Sequence, residues 1–192
     1  IDQGPRTYIE RIEIRGNDHT RDYVIRREFD VSEGDAFNQV LIQRAKRRLE
    51  ALDFFTAVNI ATAPGSEADQ VVLVVDVVEK STGEFGVGAG YSTGQTATAA
   101  KGVNVEASVS EKNFLGRGQF IKISVGGGKN SRDYTLSFTE PYFLGRRISA
   151  GVDLTQSTRT ETNYASVTKG GTVRFAAPIT NALSANFAYN LS

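Results

Sequence analysis

Beyond residue 84 the chain switches between apolar and polar or small residues in stretch after stretch, and this period of two limits its possible folds more than any other feature. Phe85, Val87, Ala89 and Tyr91 alternate with Glu84, Gly86, Gly88 and Gly90. Val103, Val105, Ala107 and Val109 alternate with Asn104, Glu106, Ser108 and Ser110, and Ile121, Ile123 and Val125 with Lys122 and Ser124. The pattern returns around Tyr134 to Phe138, Ile148 to Leu154, Val173 to Ala177 and Leu183 to Leu191. Side chains that repeat every second residue mark a β-strand whose two faces meet different surroundings. No helical periodicity separates the stretches, so an antiparallel meander of about seven strands is predicted.

A soluble sandwich alternates as well, and three features favour a membrane barrel. The stretches with their flanks reach about 9 to 11 residues, the length a tilted strand needs to cross hydrocarbon. The polar face carries Glu106, Lys122, Asp153 and Arg174, which suit a watery lumen better than a dry core. The connections also alternate in kind. Those at 92–102, 126–132 and 156–166 are polar and mostly long, whereas Asn113-Phe114-Leu115-Gly116, Pro141-Tyr142-Phe143-Leu144-Gly145 and Pro178-Ile179-Thr180-Asn181 are shorter and mostly aromatic or apolar. In a meander alternate turns share an end, so Phe114, Tyr142 and Phe143 are expected on one rim, as an interfacial aromatic belt requires. Outer-membrane barrels turn tightly on the periplasmic side, and the N-terminal domain enters there, so it is expected in the periplasm.

Residues 1–80 are built differently. They hold 11 basic and 15 acidic side chains, a net charge of −4, and four of the 19 glycines, whereas residues 81–192 hold 11 basic and 7 acidic, a net charge of +4. Two domains are the simplest explanation. Apolar residues alternate from Ile9 to Ile14 as a short strand, Thr20 is expected to cap a helix near 21–28, and a longer helix is expected from about Asn38 to Leu52. Val40, Leu41, Ala45, Leu49 and Leu52 form its apolar stripe, leaving Arg44, Lys46, Arg47 and Arg48 in water. Val58 to Ala63 and Val71 to Glu79 read as strands around a Pro64-Gly65-Ser66 turn. The order β-α-α-β-β implies a small α+β unit, three strands covered by two helices.

Several functions are disfavoured or excluded. Basic and acidic residues balance at 22 each, so no global charge calls for nucleic acid. No run approaches the roughly 20 apolar residues of a spanning helix. Cysteine is absent, which excludes disulfides, thiolate metal sites and cysteine nucleophiles. His19 is the single histidine, so a histidine cluster for metal is excluded. The glycines of 83–90 and 126–128 open no helix, and Gly128-Lys129-Asn130 lacks the Ser or Thr of a phosphate-binding loop. Glu106 and Asp153 need no catalytic role in a lumen. No catalytic, cofactor-binding or metal-binding residue is expected. The start at Ile1 suggests a processed product or a piece of a longer chain.

Asn113-Phe114-Leu115-Gly116-Arg117-Gly118, then Glu140-Pro141-Tyr142-Phe143, and the Glu79-Lys80-Ser81-Thr82-Gly83 junction together resemble the BamA family of outer-membrane β-barrel assembly factors. Residues 1–80 are similar to its last periplasmic POTRA domain and 81–192 to the first seven strands of a sixteen-stranded barrel. A closing strand, the other POTRA domains and a later lid-loop motif are missing, so a fragment is expected, since seven strands do not close such a barrel. The cousin readings are a POTRA-barrel translocation factor, a two-partner secretion transporter, or a passive pore. The resemblance implies a cell outer-membrane location and partners among assembly-complex lipoproteins, unfolded outer-membrane protein clients and outer-membrane lipid. It makes Phe85, Gly86, Val87, Gly88, Ala89, Gly90 and Tyr91 one edge of a lateral gate. On the residues alone, curvature or close packing also accounts for those glycines. It marks Asn113, Phe114, Gly116, Gly118, Pro141, Tyr142 and Phe143 as periplasmic-rim motifs, and Glu33, before Gly34, as a lipoprotein contact. Glu33-Gly34-Asp35 reads equally as a turn and helix-start signal. A strand edge near Ile9 to Ile14, or another side of that sheet, is a further candidate for pairing with extended clients.

Overall fold

The computed structural model describes residues 7–92, 102–160, 164–178 and 184–191. It divides into two compact units, one of residues up to Thr82 with the turn Leu115–Arg117, the other of Gly83–Phe114 and the residues from Gly118 onward.

The first unit runs β1 (Tyr8–Arg15), α1 (Asp22–Arg26), α2 (Gln39–Ala51), β2 (Phe55–Pro64) and β3 (Gln70–Glu79). Its sheet has the order β1-β3-β2, with β1 parallel to β3 and β2 antiparallel to it. The parallel pair follows from the helices, because a parallel neighbour needs a long crossover. The central strand β3 is the most apolar, and it buries Val72, Leu73, Val75 and Val77. Against it pack Ile9 and Ile12 of β1, Val24 and Ile25 of α1, and Ile42, Ala45 and Leu49 of α2.

Three local expectations change. The buried stripe of α2 is Ile42, Ala45 and Leu49, with Leu41 and Leu52 partly buried, while Val40 is 65% exposed. Ile42, Ala45 and Leu49 step by three and four, and Val40 stands roughly 200° around the helix from Ile42. Asn38 starts that helix, its Oδ1 accepting from the Val40 and Leu41 N–H groups at 3.0 and 3.3 Å. Thr20 does not cap α1. Arg21 holds that position without a side-chain bond, and Thr20 is buried with its N–H on Glu79 at 2.6 Å. Nor is Arg48 free in water: it donates to the Glu28 carbonyl at 3.1 Å and pairs with Asp30 at 2.9 Å.

The second unit is one seven-stranded antiparallel meander, in which every strand pairs with its sequence neighbours. Its strands are β4 (Gly83–Ser92), β5 (Gly102–Phe114), β6 (Gln119–Gly128), β7 (Ser131–Glu140), β8 (Ser149–Thr160), β9 (Ala165–Pro178) and β10 (Ser184–Leu191). The polar connections are shorter than expected. β6 reaches Gly128 and β7 starts at Ser131, and β8 runs to Thr160 where it pairs with Ala165. Where both faces of a strand are polar the backbone ladder still gains by pairing, so loss of alternation does not end a strand. The connection at 93–101 and residues 179–183 lie outside the described residues.

Every buried hydrophobic residue among those described falls between Ile9 and Val77. The meander therefore has two faces and no sealed core of its own within the described residues.

Candidate functional site

Rows of directly paired residues trace polarity across the second unit. One row reads Glu84, Ser110, Lys122, Ser137, Asp153, Thr172, Asn190. Ion pairs lie along it: Lys112 meets Glu84 at 2.7 Å, and Arg174 grips Asp153 through two bonds of 2.6 and 3.0 Å. The neighbouring row on the opposite face reads Phe85, Val109, Ile123, Leu136, Leu154, Gly171, Leu191. Apart from Gly171, these are large apolar side chains, and they are exposed.

The apolar band does not follow the hydrogen-bonded rows. The next row on this face is Val87, Ala107, Val125, Tyr134 and then Gln156 and Lys169, polar at its far end. The row on the other side starts at Glu111 and continues through Ile121, Phe138, Val152 and Val173 to Tyr189. Along β4 the band is centred near residue 88, and along β10 near 188, a slide of six residues over six strand-to-strand steps. One residue of about 3.3 Å per strand spacing of about 4.8 Å inclines the strands by about 35° to the normal of the band. Transmembrane barrel strands tilt by about 35 to 45°. This is the geometry of a hydrocarbon slab cut by inclined strands, with the polar face turned to water.

At one end of the order, β4 pairs with β5 from Gly83↔Glu111 to Ser92↔Gly102. Phe85, Val87 and Tyr91 project from its apolar face, each about 70% exposed, with the small Ala89 between them. Gly86, Gly88 and Gly90 lie on the polar face opposite Ser108, Glu106 and Asn104. A Cβ on Gly86 would stand 2.9 Å from the Ser108 hydroxyl, but at Gly88 and Gly90 it would meet nothing within 4 Å. Close packing thus accounts for Gly86 and not for the other two. They floor a concavity walled by Asn104, Glu106, Ser124, Asp133 and Thr135.

The rim motifs are turn builders. Asn113 is buried; its Oδ1 accepts from the Gly118 N–H at 2.8 Å, and its own N–H donates to Glu111 at 2.9 Å. Glu140 joins the next turn to this one, accepting from the Gln119 amide at 2.7 Å and the Tyr142 N–H at 3.0 Å. Pro141, Tyr142 and Phe114 are half-buried, and Phe143 stacks edge-on against Phe175 with centroids 6.0 Å apart. Gly116 and its neighbours count with the first unit: the Arg21 N–H donates to the Gly116 carbonyl at 2.8 Å, and a Cβ there would sit 2.0 Å from the His19 carbonyl oxygen.

Glu33 is half-exposed and already engaged. Its Oε1 accepts from the Ile12 N–H at 3.1 Å and from Arg26 at 2.9 Å, and Arg26 also donates to the Ile12 carbonyl at 3.1 Å. The Ile12 N–H, and then Arg26, hold the Glu33 carboxyl below its ordinary value. Gly34, at φ +91°, donates to the Ile9 carbonyl at 2.7 Å, and the Ile9 N–H donates to Asp35 at 2.9 Å. The outer edge of β1 is therefore occupied at Ile9 and Ile12, which leaves β2 as the other outer strand of that sheet. Sequence reasoning missed Arg26, because only the fold brings it across to Glu33. It also treated Glu79 as a junction residue alone. Burial pushes the Glu79 carboxyl up, but hydrogen bonds from Thr20 and His19 outweigh it, and it settles below its ordinary value. Among the described residues no three His, Asp or Glu side chains gather as a metal site.

Comparison with known proteins agrees with this geometry. The POTRA family model, described as surface antigen variable number repeat, matches residues 7–80, and the Omp85 superfamily domain matches 113–192. The outer membrane protein assembly factor BamA of Neisseria meningitidis is 30% identical over 97% of this chain and 24% of its own length. BamA of Nitratidesulfovibrio vulgaris is 30% identical over 97% of this chain and 23% of its own. The crystal structure of Haemophilus ducreyi BamA lacking POTRA domains 1-3 superposes with a TM-score of 0.81 at 27% identity, covering 98% of this chain and 36% of that one. The chain thus spans about a quarter of the length of the curated relatives it matches. Its strands belong to the outer membrane and its first unit to the periplasm. The chain therefore joins a POTRA domain at residues 7–80 to an Omp85 superfamily domain at 113–192, and nearly its whole length is similar to these BamA proteins.

Proposed function

We propose that the chain is part of an outer-membrane protein assembly and insertion factor whose β4 edge templates client strands. The observation that carries this is the end position of β4 combined with bare glycines at 88 and 90, where no packing demands them. An end strand offers its unpaired N–H and C=O groups to an incoming strand, and few side chains on its polar face hinder exchange of partners. The work needs no cofactor and no chemical turnover. Backbone pairing lowers the barrier to insertion by satisfying a client's polar groups before they meet hydrocarbon. The naming of relatives at 30% identity as assembly factors supports this reading over a passive pore or a two-partner secretion transporter.

Disulfide trapping in the full-length protein tests it, with cysteines placed in turn from Phe85 to Tyr91 against a client's terminal strand. Crosslinks that follow a single antiparallel register support templating. Steady ion conductance with no register-dependent crosslink supports the pore instead.

The periplasmic unit offers two contacts. Glu33 is the proposed docking point for an assembly lipoprotein, its half-exposed carboxylate held in place by Ile12 and Arg26. Glu33→Lys should abolish lipoprotein copurification, and unchanged hydrogen exchange at Val75 would exclude unfolding as the cause. The outer edge of β2 is the proposed site for extended client segments, since the outer edge of β1 is occupied at Ile9 and Ile12.

A further inference from the structure

Two connections at the same end of the meander repeat the tetrad Phe-Leu-Gly-Arg: Phe114 to Arg117 between β5 and β6, and Phe143 to Arg146 between β7 and β8. Their backbones repeat as well. Leu115 and Gly116 have φ of 54° and 70°, and Leu144 and Gly145 have 55° and 70°. Turns with two left-handed central residues are normally made from Asn, Asp and Gly, because a leucine Cβ crowds the following carbonyl there. A leucine kept in that conformation twice calls for a reason.

The surroundings of the two copies differ. Gly116 is pressed against the His19 carbonyl, whereas a Cβ on Gly145 would meet nothing within 4 Å. Leu144 is 82% exposed, the highest value of any large hydrophobic residue described. At the second copy the left-handed turn closes hydrogen bonds from the Gly145 N–H to the Tyr142 carbonyl and from the Arg146 N–H to the Phe143 carbonyl, both at 3.2 Å, and leaves the Leu144 side chain in the open. Yet its neighbour Phe143 packs on Phe175, which stands on the apolar face in the row Ala150, Phe175, Phe187. The turn therefore leans over the apolar side of the sheet. Leu144 carries that face past the strand ends, and the exposed Arg146 follows two residues later.

We propose that Phe143–Arg146 is a membrane anchor at the periplasmic leaflet, with Leu144 among the upper acyl carbons and Arg146 on a phospholipid phosphate. Apolar tip and adjacent cation match the two zones of a lipid interface. Continuity with the lipid-facing band selects a membrane phospholipid over a free phosphate, which would give Leu144 nothing. The inference rests on the outer-membrane reading of the strands.

Full-length protein carrying a spin label at Leu144→Cys, in vesicles of phosphatidylethanolamine and phosphatidylglycerol at 3:1, supplies the test. Labels at Val152→Cys on the lipid face and Thr62→Cys on the periplasmic unit serve as references; this segment has no native cysteine. The Leu144 label should relax more with oxygen than with a water-soluble nickel complex, at a depth between the two references. Adding Arg146→Glu should move it toward the aqueous value. A Leu144 label that matches Thr62 while Val152 stays deep overturns the anchor alone. An aqueous Val152 label overturns the membrane reading and the anchor together, and no shift with Arg146→Glu removes the phosphate contact.

Discussion

Leu73 and Leu154 both sit in mid-strand with hydrogen-bonded neighbours on either side, yet Leu73 is fully buried and Leu154 is 52% exposed. Both are leucines in apolar positions of their strands, although β3 is apolar at nearly every position and β8 alternates. What sets them apart is the company: β3 shares its unit with two helices whose apolar stripes close over one face, while β8 lies in a run of seven strands with no α-helix among its described residues. Period two states which side of a strand is greasy. It does not state what covers that side, and in the meander the cover is lipid.

The comparison can be broken most forcefully at Leu73. Leu73→Ala should destabilise the periplasmic unit by about 2–5 kcal/mol, the usual cost of a buried leucine truncation. Hydrogen exchange of the full-length protein should then rise in β1 and β3 while β6 to β8 keep their protection; a uniform rise would mean that the two units share one core. Next in size is a pair of neighbours on β7. Leu136→Arg on the apolar face should cost about 2–4 kcal/mol if that face meets hydrocarbon, and Thr135→Arg on the polar face close to nothing. The heat-modifiable gel shift of the folded protein reads both, and equal effects would argue for a sandwich.

Smaller changes sharpen the account of the first unit. Asn38→Ala removes the acceptor for two N–H groups at the start of α2 and should cost about 1 kcal/mol in thermal unfolding of that unit. Least of all is an acid effect. Glu33 and Glu79 both titrate below their ordinary value of about 4.5, so their stabilisation is complete above it and fades as pH falls through the depressed folded values. Protection near Ile12 and Thr20, corrected for the intrinsic slowing of exchange in acid, should drop as pH falls below about 4.5, and Glu33→Gln with Glu79→Gln should flatten that dependence.

The strands of the meander were legible because alternation is local: Phe85 to Tyr91 and Tyr134 to Phe138 can be read without knowing their neighbours. The turns were read less well. Gly126 to Gly128 looks like a loop by composition, but the backbone continues the ladder through it to a two-residue connection. The α2 stripe was placed two residues off at its start because Val40 and Ile42 are equally apolar, and only the position of the sheet chooses Ile42. At the candidate sites Glu33 was marked as a docking residue, but its ties to Ile12 and Arg26 depend on α1 crossing near the β1 edge, a contact with no periodic signature.

By itself the amino-acid order determined the strand-helix-helix-strand-strand unit, the seven strands behind it, and which residues share each face, since these follow from spacing within a few neighbours. Tertiary structure decided the rest: the covering of the β1 edge, the bare glycine positions on β4, and the oblique course of the apolar band from Val87 to Tyr189. Those depend on register between segments far apart in the chain, and register is set by how whole strands pair.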